Sequence, residues 1–247
     1  MLGTTAATGP PVVTPASPVG TVGTPFSYFI SATGSPTSYA ISSGTLPADL
    51  SLNTTTGEIS GTPSVAGSTA VDVTATNGSG PSSPATLSFT INPGSQTITG
   101  LPATDTKTFG AAPYNLTATG GGSGNPVTYS ASPAGVVTIA GNLVTIVGAG
   151  VTTITASQAG NANYNAAADV PQTLTVNQAS QTITFGGLAP RPDNDPNFQL
   201  TATGGGSGNP IVYTSSNTAV AIIVNSLGNR DPNGDWVDML SAGSTTI

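Results

Sequence analysis

An exact eleven-residue repeat is the feature of this sequence that most constrains its fold. Leu116–Pro126 and Leu200–Pro210 both read LTATGGGSGNP and lie 84 positions apart. The tetrapeptide QTIT occurs at Gln96–Thr99 and again at Gln181–Thr184, 85 positions apart. A period of this length matches a small β-sandwich domain and is too long for one turn of a solenoid. The sequence therefore predicts two tandem copies of one domain.

A third match places an insertion in the later copy. Val147–Ile154 reads VGAGVTTI and Leu240–Ile247 reads LSAGSTTI, but these two segments are 93 positions apart. The later copy has therefore gained about nine residues relative to the earlier one. The gain falls between Asn225 and Val237.

The two copies also differ after this match. Ile247 corresponds to Ile154, and the earlier copy continues to Gln172–Val176, which has the pattern of a closing strand. A sandwich without that strand would have an open sheet edge and an uncovered core. Two interpretations remain open. Either the sequence is part of a longer chain, or a neighbouring subunit donates the strand and builds a head-to-tail filament, with the tail Met1–Gly9 as a candidate donor.

Apolar and polar side chains alternate in short segments that Gly, Pro, Asn and Ser separate. Alternation with period two places one face of a strand in a core and the other in water. Turn residues at intervals of roughly 8–12 positions are typical of a sandwich or barrel. We therefore predict an all-β fold of tandem immunoglobulin-like β-sandwiches. The clearest alternating segments are centred on Tyr28, Val73, Phe89 and Leu174.

Clusters of turn residues predict the domain boundaries. Asn92-Pro93-Gly94 has the composition of a short linker, and Asn177-Gln178-Ala179 is the matching junction one repeat later. We predict a tail at 1–10, one sandwich at 11–93, a second at 94–178 and a third, C-terminally incomplete, at 179–247.

The charge balance excludes several classes of function. Lys107, Arg191 and Arg230 are the only basic residues, against ten acidic ones, and the net charge is −7. A nucleic-acid binder or a binder of anionic membranes needs a cationic surface, which this chain cannot build. No apolar run is long enough for membrane insertion.

The residue types that most often carry catalysis are also missing. The chain has no Cys and no His, so it has no thiol nucleophile, no disulfide and no imidazole base. Its carboxylates occur mostly as single residues in predicted turns, which does not favour a paired acid/base site. We therefore expect a protein that is not an enzyme and that requires no cofactor.

Two segments of the first unit resemble a known family. Leu46–Pro63 reads LPADLSLNTTTGEISGTP, and the alternating Val71–Gly78 follows. This pattern resembles the putative-Ig and cadherin-like (dystroglycan-type) domains of large bacterial surface or secreted proteins, over most of 11–92. The residues themselves predict a hairpin that turns at Thr56-Gly57, with a buried face formed by Leu50, Leu52 and Ile59.

The second and third units resemble bacterial group-2-type Ig-like repeats. The segments that carry the resemblance are Gln96–Ile98, Pro126–Ser130, Val147–Ala156 and Asn161–Tyr164. The resemblance implies rod segments of adhesins, secreted enzymes or filament-forming proteins, outside the cell or at a bacterial cell surface. It assigns no ligand, since one fold supports many functions.

One acidic segment of the third unit is a candidate calcium site. Asp231, Asn233, Asp235 and Asp238 present oxygen ligands at close spacing, and hard cations such as Ca²⁺ prefer oxygen. The segment lacks the central Gly and the distal Glu of an EF-hand. The alternative interpretation is a polar hairpin tip in which Asn233-Gly234 makes the turn. Asp193–Asp195 is a second, weaker cluster of oxygens.

Trp236, the only Trp, falls in the same predicted loop. An exposed Trp could stack on a sugar or anchor a partner. The alternative role, which the pattern favours, is to cap the local core.

These observations together predict a structural extracellular protein. We expect a stalk or a filament subunit that polymerises by strand donation, with copies of the same chain as head-to-tail partners. The alternative is an adhesin that binds a surface glycan or protein through the third unit, with Ca²⁺ as a stabilising ion.

Overall fold

The computed structural model describes residues 9–192, 195–231 and 233–247, and every regular element among them is a β-strand. The predicted all-β fold of tandem sandwiches is confirmed. By internal contacts the chain divides into two compact units, Met1–Gln178 and Ala179–Ile247. The first unit contains two sandwiches. None of the described residues forms a helix of the length and apolarity needed to cross a membrane.

The first sandwich is built from ten strands. A five-stranded sheet has the order β2-β10-β8-β5, with β9 also paired to β8, and faces a three-stranded sheet β3-β7-β6, while β1 pairs with β4. The strands are β1 Val12–Val13, β2 Val19–Thr21, β3 Phe26–Phe29, β4 Ala32–Thr33, β5 Ser38–Ser43, β6 Leu50–Leu52, β7 Glu58–Gly61, β8 Gly67–Asn77, β9 Gly80–Pro81 and β10 Ala85–Asn92.

The alternating segments of this sandwich bury the predicted face. Val73 and Leu87 are completely shielded from solvent, and Phe89 is 1% exposed. The predicted hairpin is also present. Leu50 and Ile59 are buried, Leu52 is half-buried, and the turn between β6 and β7 ends at Gly57, which has a positive φ of 76°.

The second sandwich has seven strands in two sheets. The larger sheet has the order β11-β17-β16-β13 and the smaller the order β12-β15-β14. The strands are β11 Thr104–Thr108, β12 Tyr114–Asn115, β13 Val127–Ser132, β14 Val137–Ala140, β15 Leu143–Ile146, β16 Gly150–Gln158 and β17 Val170–Asn177. The core between the sheets contains the fully buried side chains of Val144, Ile154 and Leu174.

Both sandwiches pair an early strand with their last strand in parallel. In the first, β2 runs parallel to β10 with Val19 opposite Thr90, and in the second β11 runs parallel to β17 with Thr104 opposite Thr173. Because parallel neighbours point the same way, the chain enters each sandwich at one end and leaves at the opposite end.

The third unit has five short strands among its described residues. They are β18 Thr184–Phe185, β19 Phe198–Gln199, β20 Ala202–Thr203, β21 Ala221–Val224 and β22 Trp236–Met239. They form a pair β18-β20 and a sheet β19-β22-β21. The sheet corresponds to β12-β15-β14 of the second sandwich, since Val237 stands one repeat after Val144 and both are buried.

The larger sheet of the second sandwich has no counterpart among the described residues of the third unit. Ile211–Ser216 corresponds to β13 but forms no strand. Its backbone is paired with the chain after Met239 only at its last residue, where the Ser216 N–H donates to the Thr246 carbonyl oxygen at 2.9 Å. The Ser215 hydroxyl also lies 2.8 Å from the Thr245 hydroxyl. Ser132 and Thr153 occupy the same register in the second sandwich. A strand needs a ladder partner along its length, and this segment has one only at its end.

Candidate functional site

The predicted insertion lies at the tip of the β21-β22 hairpin. The equivalent β14-β15 hairpin of the second sandwich turns through two residues, Gly141 and Asn142, whereas residues 225–235 connect β21 to β22. Trp236 and Asp238, which the sequence placed in this loop, instead lie on β22. Both residues lie on the strand because pairing of Trp236 with Val224 extends the β21-β22 ladder into the insertion.

The acidic part of this loop is a tight turn. The Gly234 N–H donates to the Asp231 carbonyl oxygen, and the Asn233 N–H donates to Asp231 Oδ1, both at 2.9 Å. The side chain of Asp231 therefore supports the turn. Pro232 lies outside the described residues.

Of the other two predicted calcium ligands, Asp235 immediately precedes β22 and Asp238 lies on it. Asp235 Oδ2 accepts a hydrogen bond from Gln199 Nε2 at 2.7 Å, and Asp238 is paired with Ile222 in the sheet. Within the described ranges, no group of three or more acidic, His or Cys side chains comes together as a metal site. Calcium binding by Asp231, Asn233, Asp235 and Asp238 stays a prediction.

The second oxygen cluster falls mostly outside the described part of the chain, since neither Asp193 nor Asn194 is described. Asp195 forms an ion pair with Arg191 at 3.5 Å. Trp236 is half-buried beside Gln199 and Val224, and its proposed role as a glycan or partner contact also stays a prediction.

A second charged pair lies on the inward side of β11. Lys107 Nζ is 3.0 Å from Asp105 Oδ2 and 4.9 Å from the centre of the Tyr114 ring. Burial, and after it the charge of Asp105, raises the pKa of the Tyr114 hydroxyl above its ordinary value. Asp105 and Lys107 lie on β11, an edge strand of the larger sheet, and Tyr114 lies on β12 of the smaller sheet.

A groove lined by apolar and polar residues opens over the core of the third unit, with a volume of about 540 Å³. In the second sandwich, Leu174 and Val176 of β17 cover the equivalent position and are buried. Apolar residues that line the groove include Leu188, Phe198, Val220, Val237, Met239 and Ile247.

Comparison with known families identifies part of the first unit. Residues 10–92, about a third of the chain, match the family model described as Putative Ig domain. This agrees with the family resemblance of Leu46–Pro63 and Val71–Gly78. No curated protein matches the chain significantly.

Several solved structures are similar to the chain. A protein described as a putative alpha-galactosidase from Bacteroides fragilis NCTC 9343 shares 28% identity over 37% of this chain and 19% of its own, with a TM-score of 0.32. The chain thus spans about a fifth of the length of that structure. Drosophila N-cadherin EC1-4 is 13% identical over 94% of this chain and 67% of its own, with a TM-score of 0.32. Human CDH23 EC21-23 is 17% identical over 92% of this chain and 89% of its own, with a TM-score of 0.34.

Proposed function

We propose that the chain is an extracellular structural protein of a bacterial cell surface, a stalk segment without catalytic activity. The observation that carries the proposal is the parallel pairing of β2 with β10 and of β11 with β17, because each sandwich then passes the chain from one end to the other. Domains connected in this way add length. Tandem Ig-like domains are typical of extracellular adhesion and structural proteins.

The outer surface of the second sandwich suits this role. On the larger sheet, Thr104 lies opposite Thr173, Thr153 lies opposite the same Thr173, and Ser132 lies opposite Thr153. Hydroxyl groups therefore provide the polar surface where many proteins use charge. We further propose that the second and third units are bacterial group-2-type Ig-like repeats.

A stalk should be elongated in solution. A compact globule of this chain length would have a radius of gyration of about 18 Å. We expect small-angle X-ray scattering of the full chain to give a clearly larger value, with a distance distribution skewed towards long distances. A value at the compact limit would contradict the stalk proposal, and a flexible-coil profile would contradict the tandem arrangement.

We also propose head-to-tail self-association by strand donation, in which a strand of a neighbouring copy enters the third-unit groove. The support is the groove itself. It lies where, in the second sandwich, the side chains of Leu174 and Val176 cover the core. Residues 1–8 of the candidate donor Met1–Gly9 lie outside the described part of the chain. Backbone pairing would supply affinity and the apolar walls would supply specificity.

A matched pair of leucine variants tests strand donation. Leu188 lines the groove and is 44% exposed, whereas Leu227 is 83% exposed and outside it. Because a charge in the groove opposes entry of an apolar strand, Leu188→Asp should abolish the association. Leu227→Asp should leave it unchanged. Sedimentation velocity over a concentration series, with negative-stain microscopy, measures this, and a wild-type chain that stays monomeric throughout would exclude the idea.

A further inference from the structure

The linker between the first two sandwiches is bound by a loop of the second. The Gly94 N–H donates to the Asn163 carbonyl oxygen at 2.8 Å, and the Asn165 N–H donates to the Gly94 carbonyl oxygen at 2.9 Å. Gly94 is buried and forms a parallel bridge with Tyr164. The linker is therefore part of a short ladder and has little freedom to bend.

The same loop reaches the first sandwich directly. Asn163 Oδ1 accepts a hydrogen bond of 2.9 Å from the backbone N–H of Ala66, which lies between β7 and β8. On its other side the linker is held as well, since the Val22 N–H donates to the Asn92 carbonyl oxygen at 3.0 Å. Asn163 thus binds the linker through its backbone and the first sandwich through its side chain.

Hydrogen bonds within the second sandwich hold the loop in shape. Asn161 Oδ1 accepts hydrogen bonds from the Asn163 N–H at 2.8 Å and the Tyr164 N–H at 2.9 Å. Asn161 Nδ2 donates to the Ser123 carbonyl oxygen at 2.9 Å, which attaches the loop to its own sandwich. Because these hydrogen bonds all lie within the second sandwich, the loop needs little further ordering to contact Ala66.

One glycine of the repeated motif, Gly122, lies directly against the loop. A Cβ at Gly122 would collide with the Tyr164 ring, and one at Gly121 would come within 2.6 Å of Gln96 Cβ. A Cβ at Gly94 would lie 2.6 Å from the Val22 carbonyl oxygen. Glycine is needed at these positions because the Tyr164 ring, the Gln96 side chain and the Val22 backbone approach too closely for any Cβ.

We propose that Asn161–Asn165 is an interdomain clamp that fixes the first sandwich to the second, with Gly122 leaving the space that its Tyr164 ring occupies. The clamp makes the two sandwiches one rigid body, in which Asn163 is the contact that spans the junction. It follows from these contacts alone and holds whether or not the chain serves as a stalk. Consistent with it, residues of both sandwiches fall in a single compact unit.

The absence of Cys makes the clamp easy to test in the full chain. Spin labels on Ser51→Cys and Ser130→Cys, both exposed and on different sandwiches, report the distance across the junction by pulsed electron spin resonance. The parent should give one narrow distance peak. Asn163→Ala should broaden that peak, because the Ala66 N–H loses its acceptor while the backbone hydrogen bonds to Gly94 remain.

Three further variants make the result specific. Asn163→Asp keeps the oxygen acceptor and should keep the narrow peak. Gly122→Ala displaces Tyr164 and should broaden it without touching Asn163. Asn115→Ala, an exposed asparagine remote from the junction, is the control and should have no effect. Circular dichroism melting confirms that each variant is folded, and folded Asn163→Ala and Gly122→Ala variants with an unbroadened peak would overturn the clamp.

Discussion

Leu174→Ala should destabilise the second sandwich by about 2–5 kcal/mol. Leu174 is completely buried between the two sheets, and β17 is paired on both sides, with β11 and with β16. Truncation removes apolar burial and leaves a cavity that two flanking ladders prevent from collapsing. For a domain of this size, the loss corresponds to a fall in melting temperature of roughly 8–40 °C.

The adjacent residue is the matched control. Thr173 lies on the same strand but faces water, so Thr173→Ala should change the free energy of unfolding by no more than about 0.5 kcal/mol. Urea unfolding followed by circular dichroism compares the two variants. Equal effects would show that β17 contributes through its backbone ladder alone and that the core assignment is wrong.

The sequence predicted the core strands well because burial in a sandwich follows a simple rule. Val71, Val73 and Ala75 alternate with polar residues over a long strand, and all three are at most 1% exposed. Period two directly reports which side of a strand faces inward. The prediction holds wherever the segment is long enough to show the period and has partners on both sides.

The third unit shows what the pattern cannot report. Ile211–Ser216 is similar in sequence to β13, yet it is no strand, because the backbone after Met239 is hydrogen-bonded to it only between Ser216 and Thr246. Likewise Trp236 belongs to β22 through pairing with Val224, which no short-range signal reveals. Strand identity depends on a neighbour as well as on local preference.

The clamp was also beyond sequence reasoning, although both of its parts stood out in the sequence. The TGGGSGNP motif is part of an exact internal repeat, and the segment Asn161–Tyr164 carries part of the resemblance to bacterial Ig-like repeats. Their relation depends on empty space, since Gly122 leaves room for the Tyr164 ring 42 positions later. A missing side chain gives no signal about which residue will use the space.

Gly57→Ala should destabilise the first sandwich by about 2–4 kcal/mol, the sum of two separable terms. Gly57 has a φ of 76°, where any Cβ costs roughly 1–2 kcal/mol. It is also buried, and its added Cβ would lie 2.8 Å from the Tyr39 ring. The turn cannot shift easily, because the Gly57 N–H donates to Asn53 and its carbonyl oxygen accepts from Ile30.

Gly23 separates the two terms because it has the same φ of 76° but no atom within 4 Å of an added Cβ. Gly23→Ala should therefore show the backbone cost alone, about 1–2 kcal/mol. The difference between the variants in urea unfolding measures the packing of Tyr39 against the turn. If both variants lose the same stability, Tyr39 moves aside without cost, and the TG pair of the Leu46–Pro63 motif is required for its backbone conformation only.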